Sequence, residues 1–318
     1  MPGYMWGPDR RLGYKTKEVQ DMYATLKGHY DGLSAQKSLD GLERAFGETE
    51  ARGKIPLTKE HICFMIHPKV VAKELAEYSY PEYPLSPLVD HELDIKSSST
   101  SNGESPTAVP RNPTFVPDRF MNTLTPIFII RNPARMIPSW YKNISEHFGG
   151  TTKDSEWPFT ASFRWCRIVF DYYEEYFKAH PRAGFPNLPL VVDGDDLILH
   201  TTDIMEQTCD LIHLDSSAVK YTWETGDPYS SWPAAAAPED MKTPAVRNVI
   251  ESFGGNIARS TGVVRDDKKY AKPLVLEEEA KKWEESWGKD VANDLLETAK
   301  RVMVDYDYMM ERRIRPRV

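Results

Sequence analysis

Apolar residues recur along this chain at two different periods. Where they fall every three or four positions the pattern predicts helices, and Lys17 to Tyr30 places Val19, Met22, Tyr23 and Leu26 on one such face. A second helix is predicted from an N-cap at Ser38 through Ala51, stopped by Gly53, and a third opens at Pro68 and runs to Tyr78. Further on, the same period predicts helices over Ala134 to about Phe148, Phe163 to Ala179, Asp203 to Leu211, Pro244 to Phe253 and Glu277 to Arg313. The last of these should break at Gly288.

Between these lie short apolar runs of strand type. Pro126 to Ile130 is continuous, as expected of a strand buried on both faces, and Leu188 to Val192, ending at Asp193, reads the same way. Lys54 to His61 reads as a further short strand leading into the apolar stretch Ile62 to Ile66. Strands separated by helices predict an α/β fold with a parallel sheet flanked by helices. No internal repeat is present.

One stretch fits neither period. From Ser79 to Pro117 prolines recur, and Ser97 to Ser105 is almost entirely small and polar, so a long loop flexible at its centre is expected over about 79–117. It reads as a lid or, preferentially, as an inserted segment. Trp232 to Pro238 is a second loop, rich in proline and alanine.

Composition narrows the function class. With 40% hydrophobic and 28% charged residues over 318, a packed core is expected and whole-chain disorder is not. A net charge of −8 argues against a general nucleic-acid binder, which needs a basic footprint. No apolar run approaches the ~20 residues of a membrane helix. The first twelve residues carry no secretory pattern, and Cys63, Cys166 and Cys209 are few and far apart, which suits free thiols in a reducing cytoplasm.

In open parallel sheets ligands bind beyond the carboxyl ends of the strands, so the residues just past each run matter most. Arg131 follows the first, with Asn132 a good N-cap and Pro133 a good first helical residue. A guanidinium beside free helix N–H groups makes a phosphate site, and Ser139 lies two turns on with a hydroxyl to add. The competing reading pairs Arg131 with a carboxylate such as Asp193. Lys59 and His61 share a face of their segment, and a histidine beside an ammonium is held neutral and could act as a base; a structural, hydrogen-bonded histidine is the commoner alternative. Asp193, Asp195 and Asp196 read as turn and helix caps, with Asp195 or Asp196 as the capping residue. The scattered histidines show no HExxH, the cysteines no CxxC, and no metal site is expected. Gly47 to Lys54 fails the P-loop spacing, and Gly149-Gly150 reads as a helix C-cap. Arg259-Ser260-Thr261-Gly262, with Arg265 and Lys268 beyond it, is a basic segment able to close over an anion, or a solvated loop. Arg312, Arg313, Arg315 and Arg317 read as a solvated tail.

Together these pieces resemble the sulfotransferase superfamily, in particular the sulfotransferase-like proteins of P-loop fold common in fungi and in secondary metabolism. "IFIIRNPARMIPSWY", Ile127 to Tyr141, looks like that family's strand–helix site for the 3′-phosphate of 3′-phosphoadenosine-5′-phosphosulfate, which implies that Arg131 and Ser139 bind this phosphate. "LTKEHICF", Leu57 to Phe64, is similar to its Lys-x-His segment, implying His61 as the base on the acceptor and Lys59 as a contact to donor or acceptor. "LVVDGDDLI", Leu190 to Ile198, is similar to the strand and acidic turn found later in such proteins. "RSTGVVRDDK", Arg259 to Lys268, resembles the segment that wraps the nucleotide, with Arg259, Gly262 and Lys268 as donor contacts, although Arg265 stands where a second glycine is usual.

The resemblance implies one sulfotransferase-like α/β domain over residues 1–318, of three-layer P-loop NTPase-like fold. It also implies a phosphosulfate donor without metal, a small hydroxylated acceptor, no nucleic acid or membrane partner, and a homodimer as the candidate assembly. The family opens with a strand and a Pro-Arg/Lys-Ser-x-Ser/Thr loop, and no such segment stands upstream of Lys54. "GYMWGPDRRLGY", Gly3 to Tyr14, looks like the stretch that the family places after this loop, so the first strand is expected to be missing. Such a gap would leave buried strand groups unpaired at roughly 1–3 kcal/mol each. Either the start lies further upstream, or another segment fills the gap, or the chain is a degenerate or repurposed relative that binds a metabolite or protein partner without catalysis.

Overall fold

The computed structural model describes residues 34–78, 87–91, 111–226, 244–265, 270 and 274–317. The helix expected over Lys17 to Tyr30, the Gly3 to Tyr14 match, the centre of the long loop, the Trp232 to Pro238 loop and Lys268 lie outside these residues. In chain order the helices are α1 (Ala35–Ala51), α2 (Pro68–Glu74), α3 (Asp118–Thr123), α4 (Pro133–Phe148), α5 (Trp157–Thr160), α6 (Arg164–Ala179), α7 (Gly194–Leu199), α8 (Thr201–Leu211), α9 (Pro244–Arg259), α10 (Leu276–Trp287) and α11 (Lys289–Met310). Strands β1 (Ile127–Ile130) and β2 (Leu190–Asp193) pair in parallel, with Ile127 opposite Leu190 and Ile130 opposite Asp193. The protein is thus α/β, mostly helical, with a small two-stranded parallel sheet among the described residues.

The described residues gather into two compact units, one of residues 34–126 and 165–189, the other of residues 127–164 and 190–317. In the first, the aromatic side of α6 forms the core: Trp165, Phe170, Tyr172, Tyr173 and Phe177 are buried. The Tyr173 hydroxyl donates to the Met121 carbonyl (3.0 Å) and that of Tyr172 to Asn122 Oδ1 (2.8 Å), so α3 is held against α6 by polar tips as well as by ring area. The end of the proline-rich stretch is anchored here. Ile66 and Thr114 form an antiparallel bridge, and Thr114 and Val116 are buried.

In the second unit, α4 begins as its sequence dictates. The Ala134 N–H donates to Asn132 Oδ1 (2.9 Å), Pro133 occupies the first helical position, and Gly149, in the left-handed region at φ 59°, closes the last turn. Gly288, at φ 83°, separates α10 from α11, and α11 packs across the sheet. Trp157 Nε1 donates to Thr298 Oγ1 (2.9 Å), and the Tyr141 ring meets Trp287 edge to face at 5.4 Å.

Four expectations are corrected. Lys54 to His61 forms no strand: Ile55 and Leu57 are exposed, no neighbouring strand receives the segment among the described residues, and His61 instead precedes a short 3₁₀ turn, Ile62–Phe64. The α1 cap is Ser34, whose Oγ accepts from the Lys37 N–H (3.2 Å), one turn earlier than Ser38. Strand β1 is covered on one face only; Phe128 and Ile130 are buried, whereas Ile129 is 63% exposed. The arginine-rich C-terminus is not a solvated tail. The Ile314 N–H donates to the Val191 carbonyl (2.9 Å), and Arg313 pairs with Asp196.

Candidate functional site

The β1–α4 corner carries the first group of expected residues. Arg131 leaves the strand one residue beyond the Ile130–Asp193 pair, and its stem lies over the turn at the end of β2. A Cβ added at Gly194 would stand 3.3 Å from the Ile130 carbonyl oxygen and 4.0 Å from Arg131 Cβ and Cγ. Glycine therefore eases the close approach of the Ile130 carbonyl oxygen at this point, while the arginine stem lies at ordinary contact distance. The Arg131 side chain is half-buried and holds no hydrogen bond or ion pair among the described residues, and the competing pairing with Asp193 is not formed. Asp193 is otherwise engaged: its Oδ1 accepts from the N–H groups of Asp195 and Asp196 (3.0 Å each) and its Oδ2 from the Tyr306 hydroxyl (3.0 Å). Asp193 is thus the cap of α7, in place of Asp195 or Asp196. Burial raises its carboxyl pKa; the Asp196 N–H and the Tyr306 hydroxyl oppose that rise. Ser139 is exposed on α4, where its carbonyl accepts from Asn143 Nδ2 (2.7 Å).

Sequence reasoning missed Arg135. It lies in the first turn of α4, four residues past Arg131, and its Nε donates to Asp195 Oδ2 at 3.0 Å. With the Arg135 side chain only 8% exposed, the pair is largely dry, and the guanidinium also stacks over the Tyr270 ring at 4.3 Å. Asp196 pairs with Arg313 Nε at 2.6 Å. The signal for Arg135 was available: the first turn of a helix that comes after a strand faces the same end of the sheet as the strand terminus.

These groups border a cavity of about 400 Å³ beyond the carboxyl ends of the two strands. Its polar wall is Arg135, Asp193, Asp195 and Asp196; Leu199, Leu274 and Met310 supply its apolar wall. Three carboxylates stand on this wall; Asp195 and Asp196 are paired with Arg135 and Arg313. Arg131 stands outside this lining, just before the start of α4, with no hydrogen bond or ion pair among the described residues. Among the described residues no group of three His, Cys, Asp or Glu side chains is arranged to hold a metal ion.

In the first unit, Lys59 and His61 are brought together, with Lys59 Nζ 2.6 Å from His61 Nε2. The ring packs edge-on against Phe64 at 5.8 Å. Both side chains reach the surface, yet the protein around them strips water from the charged forms. That desolvation, with the Lys59 ammonium as a second cause, pushes the His61 pKa down to about 4. Desolvation also lowers the Lys59 pKa, against the pull of Glu60 and Cys63. At neutral pH the ring is therefore uncharged.

Arg259 ends α9 in an exposed ion pair with Glu251 and a 3.4 Å contact to Asn256 Oδ1. Gly262 bridges to Thr222, and a Cβ there would meet the Tyr221 carbonyl oxygen at 3.1 Å.

Two curated proteins are similar to the chain over most of its length. Sulfotransferase ppzF of Metarhizium majus is 24% identical over 326 aligned positions, covering 98% of this chain and 87% of that protein. Sulfotransferase ppzF of Metarhizium rileyi is 24% identical over 286, covering 89% and 76%. No protein-family model and no solved structure matches the chain. No described helix is long and apolar enough to cross a membrane.

Proposed function

We propose that this chain, sulfotransferase-like in sequence over most of its length, moves a sulfuryl group from 3′-phosphoadenosine-5′-phosphosulfate to a hydroxyl of a small molecule. The observation that carries the reading is Arg131: a guanidinium without a partner among the described residues, at the start of a 16-residue helix, in a unit where Arg135 and Arg313 are both paired. A cation left unpaired beside free N–H groups is poised for an oxyanion. In this reading Arg131 and Ser139 take the donor's 3′-phosphate. Arg259 joins them by giving up an exposed ion pair, at a cost of ~0–1 kcal/mol, and Gly262 and Lys268 bring the closing segment over the nucleotide.

The transfer is an in-line displacement. The acceptor oxygen bonds to sulfur as the bond from sulfur to the donor's bridging oxygen breaks, and the hydroxyl proton passes to His61. With Lys59 charged, its ammonium donates to His61 Nε2 in the resting arrangement. Catalysis therefore moves Lys59 onto the bridging oxygen, where negative charge develops, and frees the ring nitrogen to take the proton. The desolvation that keeps His61 neutral also makes it a weak base, so donor charge must raise its pKa in the complex. The reading carries with it a cytoplasmic location, a homodimeric assembly and no nucleic-acid partner.

Calorimetric titration with adenosine 3′,5′-bisphosphate tests it. Binding is expected in the unaltered chain and should weaken by about 10–100-fold in Arg131→Ala. No binding, or equal binding by the variant, would sink the donor site. Donor binding without transfer to any of a panel of phenols and alcohols would favour the non-catalytic reading.

A further inference from the structure

The groups read as donor contacts stand on two separate elements, and those elements must be held in register for both to reach one ligand. Arg131 and Ser139 belong to the β1–α4 corner, whereas Arg259 ends α9 and Gly262 follows shortly after it. The geometry assigns that task to Asn143 and Ser252, a polar clasp between α4 and α9 that positions Arg259 and Gly262 for the nucleotide whose phosphate Arg131 and Ser139 take. This role rests on the donor-site reading and adds to it two positioning residues.

Asn143 is half-buried on α4, one turn beyond Ser139. Its Nδ2 donates to the Ser139 carbonyl at 2.7 Å, and its Oδ1 accepts from the Ser252 hydroxyl. The polarity of this chain of bonds is fixed. A carbonyl can only accept, so the amide turns its NH2 toward Ser139, and its oxygen is left for a donor, which Ser252 supplies. The bond reaches the backbone of Ser139 and leaves that residue's hydroxyl without a partner among the described residues. On the other side, Ser252 sits two turns, roughly 10 Å of helix, before Arg259. Because α9 is continuous between them, holding Ser252 places the end from which Arg259 projects. That end has its own anchor: the Gly226 N–H donates to the Ala258 carbonyl (2.7 Å), the Trp223 N–H to the Thr261 carbonyl (3.1 Å), and Gly262 bridges to Thr222. Those bonds tie Arg259 and Gly262 to residues 221–226, not to α4; Asn143 and Ser252 supply the tie to α4. A single exposed hydrogen bond adds little to overall stability, so losing it should leave the fold standing and be felt in where Arg259 lies.

Calorimetric titration of the full chain with adenosine 3′,5′-bisphosphate tests this through mutant cycles. Ser252→Ala, which removes one exposed oxygen, should weaken binding by about three- to tenfold, Asn143→Ala by a similar factor, and the two together by no more than the larger of them. Ser252→Thr keeps the hydroxyl and should bind like the unaltered chain. Arg259→Ala should cost about tenfold in the unaltered chain but only about threefold where Ser252 is already alanine, since a displaced guanidinium has less to lose. The loss from Arg131→Ala should be the same in both backgrounds, which a general loosening of the fold would not give. Full affinity in Ser252→Ala, additive losses in the double variant, failure of Ser252→Thr to bind normally, or an undiminished Arg259→Ala effect overturns the clasp and leaves the donor site in place. Should Asn143→Ala fail to fold, the Ser252 variants and the Arg259 cycle still decide. No binding by the unaltered chain sinks the donor site itself, and the clasp with it.

Discussion

At β1 the chain turns from Ile130 through Arg131 and Asn132 into α4; at β2 it turns from Asp193 straight into α7. The two junctions sit next to each other in the sheet register, and each caps its helix with the side chain just before it. Their chemistry is nevertheless opposite. The β2 cap is a buried carboxylate whose charge is absorbed by two N–H groups and a tyrosine, and the acidic residues of its helix are absorbed by arginines from α4 and the C-terminus. The β1 cap is a neutral amide, and the arginine beside it has no partner among the described residues. Strand-to-helix geometry alone thus does not make an anion site. What separates a structural junction from an available one is whether the local charges have already found partners.

The largest effect expected from breaking this comparison is at the β2 junction. Asp193→Ala leaves the Tyr306 hydroxyl and the N–H groups of Asp195 and Asp196 without an acceptor in a buried place, and should cost about 3–5 kcal/mol by urea denaturation. Arg135→Ala strands Asp195 and should cost about 3 kcal/mol, read as a fall in the denaturation midpoint; Arg135→Lys should recover only part of it, because Tyr270 stacking needs the planar group. At the β1 junction the same kind of lesion is mild. Asn132→Ala loses one cap hydrogen bond, about 1 kcal/mol, and Arg131→Ala should leave stability within ~0.5 kcal/mol of the unaltered chain. A large loss from Arg131→Ala would mean that its charge serves the fold, and the contrast between the junctions would collapse.

The smallest effect concerns pH. A base must be uncharged to accept a proton, so with the His61 pKa at about 4 in the unliganded chain, kcat/KM for sulfuryl transfer should hold steady above that value and fall as pH drops through it. Lys59→Met removes the repelling ammonium and should move this acidic limb upward, toward the ordinary histidine value of 6.5. Because desolvation is the greater cause, the limb should stop short of that value. A limb that stays in place in the variant would show that Lys59 has no hold on the ring.

What the linear chain specified lies within a few residues of where it is written. Asn132-Pro133 starts a helix, Gly149 and Gly288 end helices, and two apolar runs form strands that pair in parallel; each is a matter of caps, backbone freedom and local pattern. The closeness of Lys59 and His61 was legible for the same reason, since two residues of extended chain bring side chains to one face whether or not a strand forms. Tertiary structure decided the rest, because it depends on partners distant in sequence. An apolar run such as Ile127 to Ile130 announces a strand but not how many of its faces are covered, and Ile129 stands exposed. Lys54 to His61 alternates like a strand yet finds no neighbour among the described residues. Arg135, Arg313 and Arg131 carry the same group. Only the approach of residues some sixty and more than a hundred positions away selected the first two for ion pairs and left the third without a partner among the described residues.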